Sequence, residues 1–481
     1  MHMSFLKTTV TAAALLAAAL VSASLCHAEE DGYIIKLEEN TASLMSIDEE
    51  TRDAAAEAEL EPLIPEIGLY YSEEVPQGLD CEYAEPNMRA ELYDTYDYSY
   101  LQNSATPAYE FELANIYSMW DIGAYGDGVK IAVIDTGCNS YKGMEIYEAY
   151  NYVKHGSEPY DPYDCADNMG HGTRVCGMIS APYGRNVLTV GTARKAKLVS
   201  LKFADGEEDS SKITEGGTSY EMIMAINDAV SRFECDIINI SSGFNETSPK
   251  GLEDAIDYAV SKGVVVVAAA GNDGDTSKCY PASYDNVISV GSVDESGTVS
   301  SFSNHNDCVF IAAPGEKVRA VHPEDYKYYR VSGTSFSSPF VCGVIASMLG
   351  IDDTLTVDEI KTIIAETSRD MGEPGRDPYY GWGIIDAGAI VDRLLEGKDY
   401  YVSPLDVCAA DGLYEVRVKR NGDLPEPVGI WCAYSGGRPV DIDMHSLEFD
   451  GDIGIMRYEK PENTELKYFL WDSMSAMVPI G

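Results

Sequence analysis

Positive charge is scarce in this chain. Its 481 residues hold 34 Lys and Arg against 80 Asp and Glu, a formal charge of −46. Such a surface repels phosphate backbones and anionic lipid, which argues against nucleic acid and membrane as partners. The surplus acid serves solubility, and it also leaves open a preference for cationic substrates or an adaptation to salt. Histidine is scarcer still, with seven in all, and only His171 sits in a GHGT turn. Beyond the first 28 residues no run is long and apolar enough to anchor the chain in a bilayer. Those 28 residues read as a secretory signal. Lys7 leads, residues 9–23 are apolar but short for a membrane span, and Cys26-His27-Ala28 precedes acidic Glu29-Glu30-Asp31. A secreted, extracellular protein is expected.

Eleven cysteines are present, an odd number once the one in the signal and Cys81 are set apart from the nine beyond. At least one of the nine therefore stays unbridged or pairs elsewhere. Cys408 and Cys432, close together near the C-terminus, are the expected bridge; Cys138, Cys176 and Cys342 read as small buried filler.

From residue 129 the chain alternates two textures. VKIAVID, KLVSLKFA, DIINIS, VVVVAAA and VISVGSV are short, apolar and largely β-branched, and helical patterns such as SYEMIMAINDAVSRF and GLEDAIDYAVSKG lie between them. Apolar strands separated by helices predict an α/β three-layer sandwich with a mostly parallel central sheet. Before it, DGYIIKLEEN alternates as a strand and residues 41–63 read as an acidic helix. After it, YEVRVKR, VGIWCAY and ELKYFLWDS alternate between turns, predicting a small all-β module for which binding and stabilisation both stay open. The expected units are a signal at 1–28, a small α+β segment at 29–105, the α/β domain at 106–397 and the β-rich module at 398–481.

Three motifs in one order carry the chemistry: VIDTG around Asp135, GHGTRVCG around His171 and SGTSFSSP around Ser335. A hydroxyl is a poor nucleophile at its own pKa. An imidazole can remove its proton, and a carboxylate can hold that imidazole in the right tautomer. Asp135 ends an apolar run, at the carboxyl edge where open sheets bind ligands. His171 and Ser335 each open an apolar helix, with Pro339 expected in the first turn of the second. AAAGN ends at Asn272, whose amide suits a developing oxyanion. An apolar run ending in DTG also marks aspartic peptidases, but those need two carboxylates sharing a proton, and no second apolar DTG or DSG occurs.

Together with GDGVKIAVIDTG, YPASYDNVISVGSVD, SFSN, IAAPG and YGWGIIDA, these motifs make residues 107–395 resemble the subtilisin-like serine peptidases, which run in the order Asp, His, Ser. The resemblance implies an endopeptidase acting on protein or peptide substrates through an acyl-enzyme on Ser335. It implies His171 as general base, Asp135 as its orienting partner and Asn272 as oxyanion donor. YIIKL and the late AEPN are similar to the prodomains of secreted members, implying an intramolecular inhibitor and maturation by self-cleavage between Tyr93 and Tyr109. By register with the family, Ser241, Ser242, Gly243, Ala270 and Gly271 would wall the primary pocket, with Cys279 near its base. Gly216 and Gly217 would form an edge that pairs with extended substrate, and Tyr220 would flank a farther pocket. Asp273 and Asp275 read either as tolerance for basic side chains or as solvated loop acids.

The departures from the family pattern carry expectations of their own. Met144 falls where relatives place a calcium-binding Asp, and the later loop APYGRNVLTVGTA is also altered. No cofactor is required on this reading, and calcium is not supported at the usual site. Phe336 stands where many relatives carry an oxidisable Met, so activity is expected to survive mild peroxide. Phe340 replaces a common His and reads as packing. The rival reading is a catalytically idle, peptidase-shaped surface binding or adhesion protein, which an incomplete triad would have favoured.

Overall fold

The computed structural model describes residues 32–37, 55, 58, 60–76, 79, 81–92, 95–100, 108–140, 144, 146–153, 161–182, 191–207, 212–321, 328–398, 400–403, 406–408, 413–420, 428–435, 438–447, 449–458 and 465–471. The expected signal, most of the expected acidic helix and most of the altered calcium loop lie outside the described residues.

The described residues begin with four strands: β1 (Tyr33–Leu37), β2 (Glu61–Ile64), β3 (Leu69–Ser72) and β4 (Cys81–Pro86). They form one antiparallel sheet in the order β2-β3-β1-β4. Glu61–Leu63 had been included in the expected helix, but they are strand. Pro62 has no N–H to give a helix and sits at the sheet's edge strand, where none is needed. Two short strands follow, β5 (Glu91–Leu92) and β6 (Thr95–Tyr100), then two one-turn helices, α1 (Tyr109–Leu113) and α2 (Tyr117–Asp121).

The central part runs through β7 (Lys130–Asp135), β8 (Ile146–Asn151), α3 (His171–Ser180), β9 (Lys197–Lys202), β10 (Ala204–Gly206), β11 (Ile213–Gly216) and α4 (Ser219–Ser231). It continues with β12 (Ile237–Ile240), β13 (Ser242–Asn245), α5 (Lys250–Ser261), β14 (Val265–Ala269), β15 (Cys279–Tyr280), β16 (Ile288–Val293) and β17 (Ile311–Pro314). It closes with β18 (Val318–Val321), β19 (Tyr328–Ser332), α6 (Thr334–Ile351), α7 (Val357–Thr367) and α8 (Ala387–Leu394). Seven strands make one wholly parallel sheet in the order β17-β16-β14-β12-β7-β9-β8.

Both faces of that sheet are covered, which explains why its strands read as unbroken apolar runs. Along β7, Ile131 and Val133 pack with α3 and α6, while Ala132 and Ile134 pack with α4 and α5. Side chains alternate across a strand, so each of these residues feeds one of two cores. From Thr334 to Met348 every residue of α6 is buried. Each fully buried large apolar side chain stabilises by about 1.5–3 kcal/mol, so this helix is central to the fold. Pro339 lies inside α6, not in its first turn.

The C-terminal part is all-β. One antiparallel sheet contains β20 (Tyr400–Val402), β21 (Asp406–Cys408), β22 (Leu413–Arg420), β25 (Phe449–Asp450) and β26 (Ile453–Tyr458). The other places β23 (Val428–Ser435) between β24 (Arg438–Ser446) and β27 (Glu465–Trp471). The expected Cys408–Cys432 bridge does not form. Cys432 carries a buried, unbridged thiol on β23, and Cys408 belongs to the other sheet.

Candidate active site

Asp135 is the last residue of β7, and the turn that follows it is tightly held. Its Oδ1 accepts from Thr136 N at 2.8 Å and faces His171 Nδ1 at 2.7 Å. Both side chains are essentially without solvent contact, at 1% and 0% exposure. A carboxylate only accepts, so Nδ1 carries the shared hydrogen and Nε2 is left as the basic nitrogen.

Two glycines bring His171 to that position. Gly170 has φ +80° at the start of α3, a conformation that favours glycine. A Cβ on Gly172 would collide with the Gly137 carbonyl and come within 3.0 Å of Asp135 Oδ1, so only glycine lets α3 approach so closely. Asp167 then anchors the helix start. It accepts from Gly170 N at 2.7 Å, Thr173 N at 2.7 Å, Thr173 Oγ1 at 2.6 Å and Thr136 Oγ1 at 2.8 Å. Its position four residues ahead of His171 was the available signal, since an acid before a helix is a capping candidate. Lys202, buried at the end of β9, donates to the carbonyls of Thr136 (2.9 Å) and Ala166 (2.8 Å) and pairs with Asp205 at 3.0 Å. Sequence reasoning missed both residues; the signal for Lys202 was a charge inside an apolar run.

Ser335 is the second residue of α6 and is wholly buried. Its Oγ lies 3.0 Å from the Ser241 carbonyl, and the next side chain, Phe336, has its ring 6.1 Å from that of His171. The carbonyl of Ser335 would ordinarily accept from the N–H four residues on, but that residue is Pro339. Ser241 Oγ donates to it instead, at 3.0 Å. Phe340 stacks on Phe111 with centroids 6.4 Å apart, the expected packing role.

Asn272 follows β14. Its Oδ1 accepts from Thr334 N at 3.0 Å and Thr334 Oγ1 at 2.9 Å, which fixes the amide by its oxygen end. Its Nδ2 is buried with no hydrogen-bond acceptor among the described residues. Leaving a buried donor unmet costs about 1–3 kcal/mol, a cost that an arriving anionic oxygen would relieve. Asn304, within the SFSN motif, supports this loop: its Oδ1 accepts from Asp273 N at 2.7 Å and Gly274 N at 3.0 Å. Cys279 Sγ, fully buried, donates to Asn245 Oδ1 at 2.9 Å and accepts from Asn304 Nδ2 at 3.3 Å. Asp275 caps its own loop through Ser277 N, at 2.8 Å.

The expected substrate edges are already engaged by the chain itself. Residues 88–92 run between them. Ser219 N donates to Met88 O at 2.7 Å, Ala90 N donates to Gly217 O at 2.6 Å, and Arg89 bridges Thr218. On the other side β5 pairs antiparallel with β13, Leu92 opposite Ser242 and Glu91 opposite Gly243. Gly216 and Gly217 adopt φ +60° and +71°, and Arg89 also donates to Gly216 O at 2.7 Å. The Tyr220 ring lies 4.7 Å from that of Tyr71, tilted by 57°, and its hydroxyl donates to Glu61 Oε1 at 2.5 Å, so the N-terminal sheet covers it. Ala270 N donates to Val290 O of β16 (3.1 Å), and Gly271 N donates to Thr334 Oγ1 (3.2 Å) at the start of α6.

Met144 is buried in the core below β7, and its side chain offers no oxygen to a hard cation. Burial pushes the Cys342 thiol well up, and a hydrogen bond with Cys138 followed by burial does the same for Cys176, so both stay protonated thiols.

A buried carboxylate–imidazole pair, a serine at the head of a core helix and an amide beside it define a serine hydrolase of Asp, His, Ser order. Residues 126–383 match the model of the subtilase family, and the chain belongs to that family. It is similar to the thermostable alkaline protease of Halalkalibacterium halodurans, 30% identical over 362 residues that cover 75% of this chain and 92% of the relative. It is similar to subtilisin BL of Lederbergia lenta, 33% identical over 269 residues, 56% of this chain and 92% of the relative. With the minor extracellular protease Epr of Bacillus subtilis it shares 30% identity over 318 residues, 65% of this chain and 47% of that longer protein. The protein is accordingly a subtilisin-like serine endopeptidase, a hydrolase of peptide bonds.

Proposed function

We propose that the protein is secreted as a precursor, matures by its own cleavage and cuts polypeptides through an acyl-enzyme on Ser335. In the first step Ser335 Oγ attacks the scissile carbonyl carbon while its proton passes to His171 Nε2. Asp135 holds the imidazole by Nδ1 and stabilises the imidazolium. Asn272 Nδ2 and the Ser335 N–H donate to the carbonyl oxygen as it becomes anionic. His171 returns the proton to the leaving amine, and water then repeats the sequence on the acyl group.

The observation that carries this reading is the Asp135–His171 contact at 2.7 Å, held beside the helix of Ser335 with the Asn272 amide turned in by Thr334. Self-inhibition is supported by residues 88–92, which occupy both edges where extended substrate would pair. The maturation cut is expected in the few residues after Leu92. Secretion rests on the leader-like N-terminus and on an extracellular relative.

The test is a serine-directed phosphonate applied to the processed protein. A single adduct on Ser335, with loss of casein hydrolysis, is the expected result. Absence of any adduct, with casein untouched, would sink the reading and leave a binding protein of peptidase shape.

A further inference from the structure

The turn that carries Asp135 and the helix that carries His171 are laced together by more than that pair. Gly172 N donates to Thr136 Oγ1 at 2.9 Å, and Asn139 N donates to Thr173 Oγ1 at 3.0 Å. Between those two bonds on the turn sits Cys138. One helical turn beyond them, on the same side of α3, sits Cys176. Both side chains belong to one core, and both thiols are unbridged. The Cys138 thiol donates to Asn139 O at 3.7 Å, which leaves its sulfur to accept from the Cys176 thiol. Cys165 is near as well, but it meets Cys138 through the backbone, its carbonyl accepting from Cys138 N at 3.0 Å.

We propose that Cys138 and Cys176 form a redox switch: a disulfide between them turns the peptidase down, and its reduction turns the peptidase up. The proposal concerns the regulation of the serine site and rests on the peptidase reading above. The oxidant is a small disulfide of the cystine type. Cys138 is 9% exposed and Cys176 not at all, so Cys138 is where such a molecule reacts first. Its sulfur attacks one sulfur of the small disulfide, and its proton goes to the small thiolate that leaves. The Cys176 sulfur then attacks Cys138 Sγ of the mixed disulfide, and the second small thiolate departs with the Cys176 proton. Two cysteine thiols are thereby oxidised to one disulfide, and one small disulfide is reduced to two thiols. Until Cys138 is engaged, the bond to it and burial keep Cys176 protonated, so the reduced pair persists.

Closure acts on the active site mechanically. A disulfide is about 2.05 Å long, shorter than any hydrogen bond between two sulfurs, so forming it draws Cys176 toward the turn. The backbones have no slack where they already touch: a Cβ on Gly172 would stand 2.2 Å from the Gly137 carbonyl. Gly172 is therefore a pivot, with His171 on one side of it and Cys176 on the other. Drawing Cys176 in tips His171 Nδ1 away from Asp135 Oδ1, a contact of 2.7 Å in the reduced form.

The experiment uses the self-processed protein, treated with cystine or with dithiothreitol. It reads casein hydrolysis, the rate of phosphonate labelling of Ser335, and the cysteine links by non-reducing peptide mapping. We expect one new link, Cys138 to Cys176, and a fall of about ten-fold or more in both rates, because a misplacement of about 1 Å costs about 10²-fold. Dithiothreitol should restore both. Cys138→Ala and Cys176→Ala should each keep full activity and ignore cystine, whereas Cys165→Ala should respond like the unaltered protein. The link without a change in rate would overturn the switch, and so would a link from Cys138 to Cys165 or no link at all. Inhibition that persists in Cys138→Ala would also overturn it, by assigning the effect to another thiol. A reduced protein that neither labels nor hydrolyses would instead remove the peptidase reading on which the proposal stands.

Discussion

The β-rich units that precede and follow the parallel sheet in the chain hold to it at different places. The N-terminal sheet shares an apolar core with α4 and α5 through Ile34, Leu63, Ile64 and Leu69, and adds polar contacts around it. Tyr83 donates to Asp254 at 2.8 Å, Lys36 pairs with the same carboxylate at 3.3 Å, and Glu85 accepts from the first two N–H groups of α5 at 2.8 and 2.6 Å. Asn227 reaches Leu63 O at 2.9 Å, and main-chain pairing at residues 88–92 completes the contact. The C-terminal module combines apolar burial with contacts from Arg417 and from Lys419, which pairs with Asp392 of α8 at 3.2 Å. Tyr401 joins the core beside α8, and Arg417 donates to the last carbonyls of α2, Trp120 O at 3.4 Å and Asp121 O at 3.3 Å. Both contacts therefore combine apolar burial with hydrogen bonds and ion pairs, the N-terminal one along α4 and α5 and the C-terminal one along α2 and α8.

The comparison breaks most sharply at the nucleophile. Ser335→Ala should abolish self-cleavage and turnover, a loss on the order of 10⁶ in kcat for the corresponding change in subtilisin. Gel analysis should then show the N-terminal sheet still joined to the rest, and a cut chain in that variant would mean another protease does the work. Asn272→Ala should lower kcat by about 10²–10³ with little change in KM, again the magnitude known for subtilisin. Maturation should slow in parallel, which a time course of processing would read.

Removing residues 398–481 tests the other unit. Thermal unfolding should fall by several degrees, as expected for a loss of about 2 kcal/mol or more, while kcat stays within about two-fold. A truncated protein with unchanged melting but poor turnover would place the module in substrate handling instead.

The smallest effect concerns pH. Burial raises Glu85 above the ordinary carboxylate range despite its two backbone donors. A group raised on docking stabilises the docked state below its undocked pKa, and that contribution is lost as pH climbs through the docked value. Asp254 shifts the other way. Burial opposes the shift, but bonds from Lys250 and Tyr83 prevail and hold it below its usual value. Its contribution is present above the undocked pKa and disappears as pH falls through the lowered one. Retention of the cleaved N-terminal sheet should therefore peak between these limits, and Glu85→Gln should flatten the alkaline arm alone. Activity released from the processed complex as a function of pH would measure it.

Much of this architecture was legible in the residues. The five apolar runs became β7, β9, β12, β14 and β16, and both amphipathic patterns became α4 and α5, because a strand buried on two faces has little compositional freedom. The edge strands were missed. IYEAYN in β8 is polar and half exposed, and IAAP in β17 is too short to show a period. The Asp135, His171 and Asn272 positions could be read because each pairs a reactive group with glycines that permit close approach. Lys202 could not, since the carbonyls it holds lie 66 and 36 residues away, and Asp167, whose capping position was readable, was passed over. The Cys408–Cys432 bridge failed for a related reason: nearness in sequence says nothing about which of two sheets a strand joins.

A proline in the helix behind the nucleophile has a mechanical consequence. By withholding one N–H, Pro339 hands the Ser335 carbonyl to the Ser241 hydroxyl, and Ser241 directly precedes β13, whose Ser242 pairs with Leu92. The starts of β13 and α6 are thus riveted at one point, so a displacement of either is passed to the other.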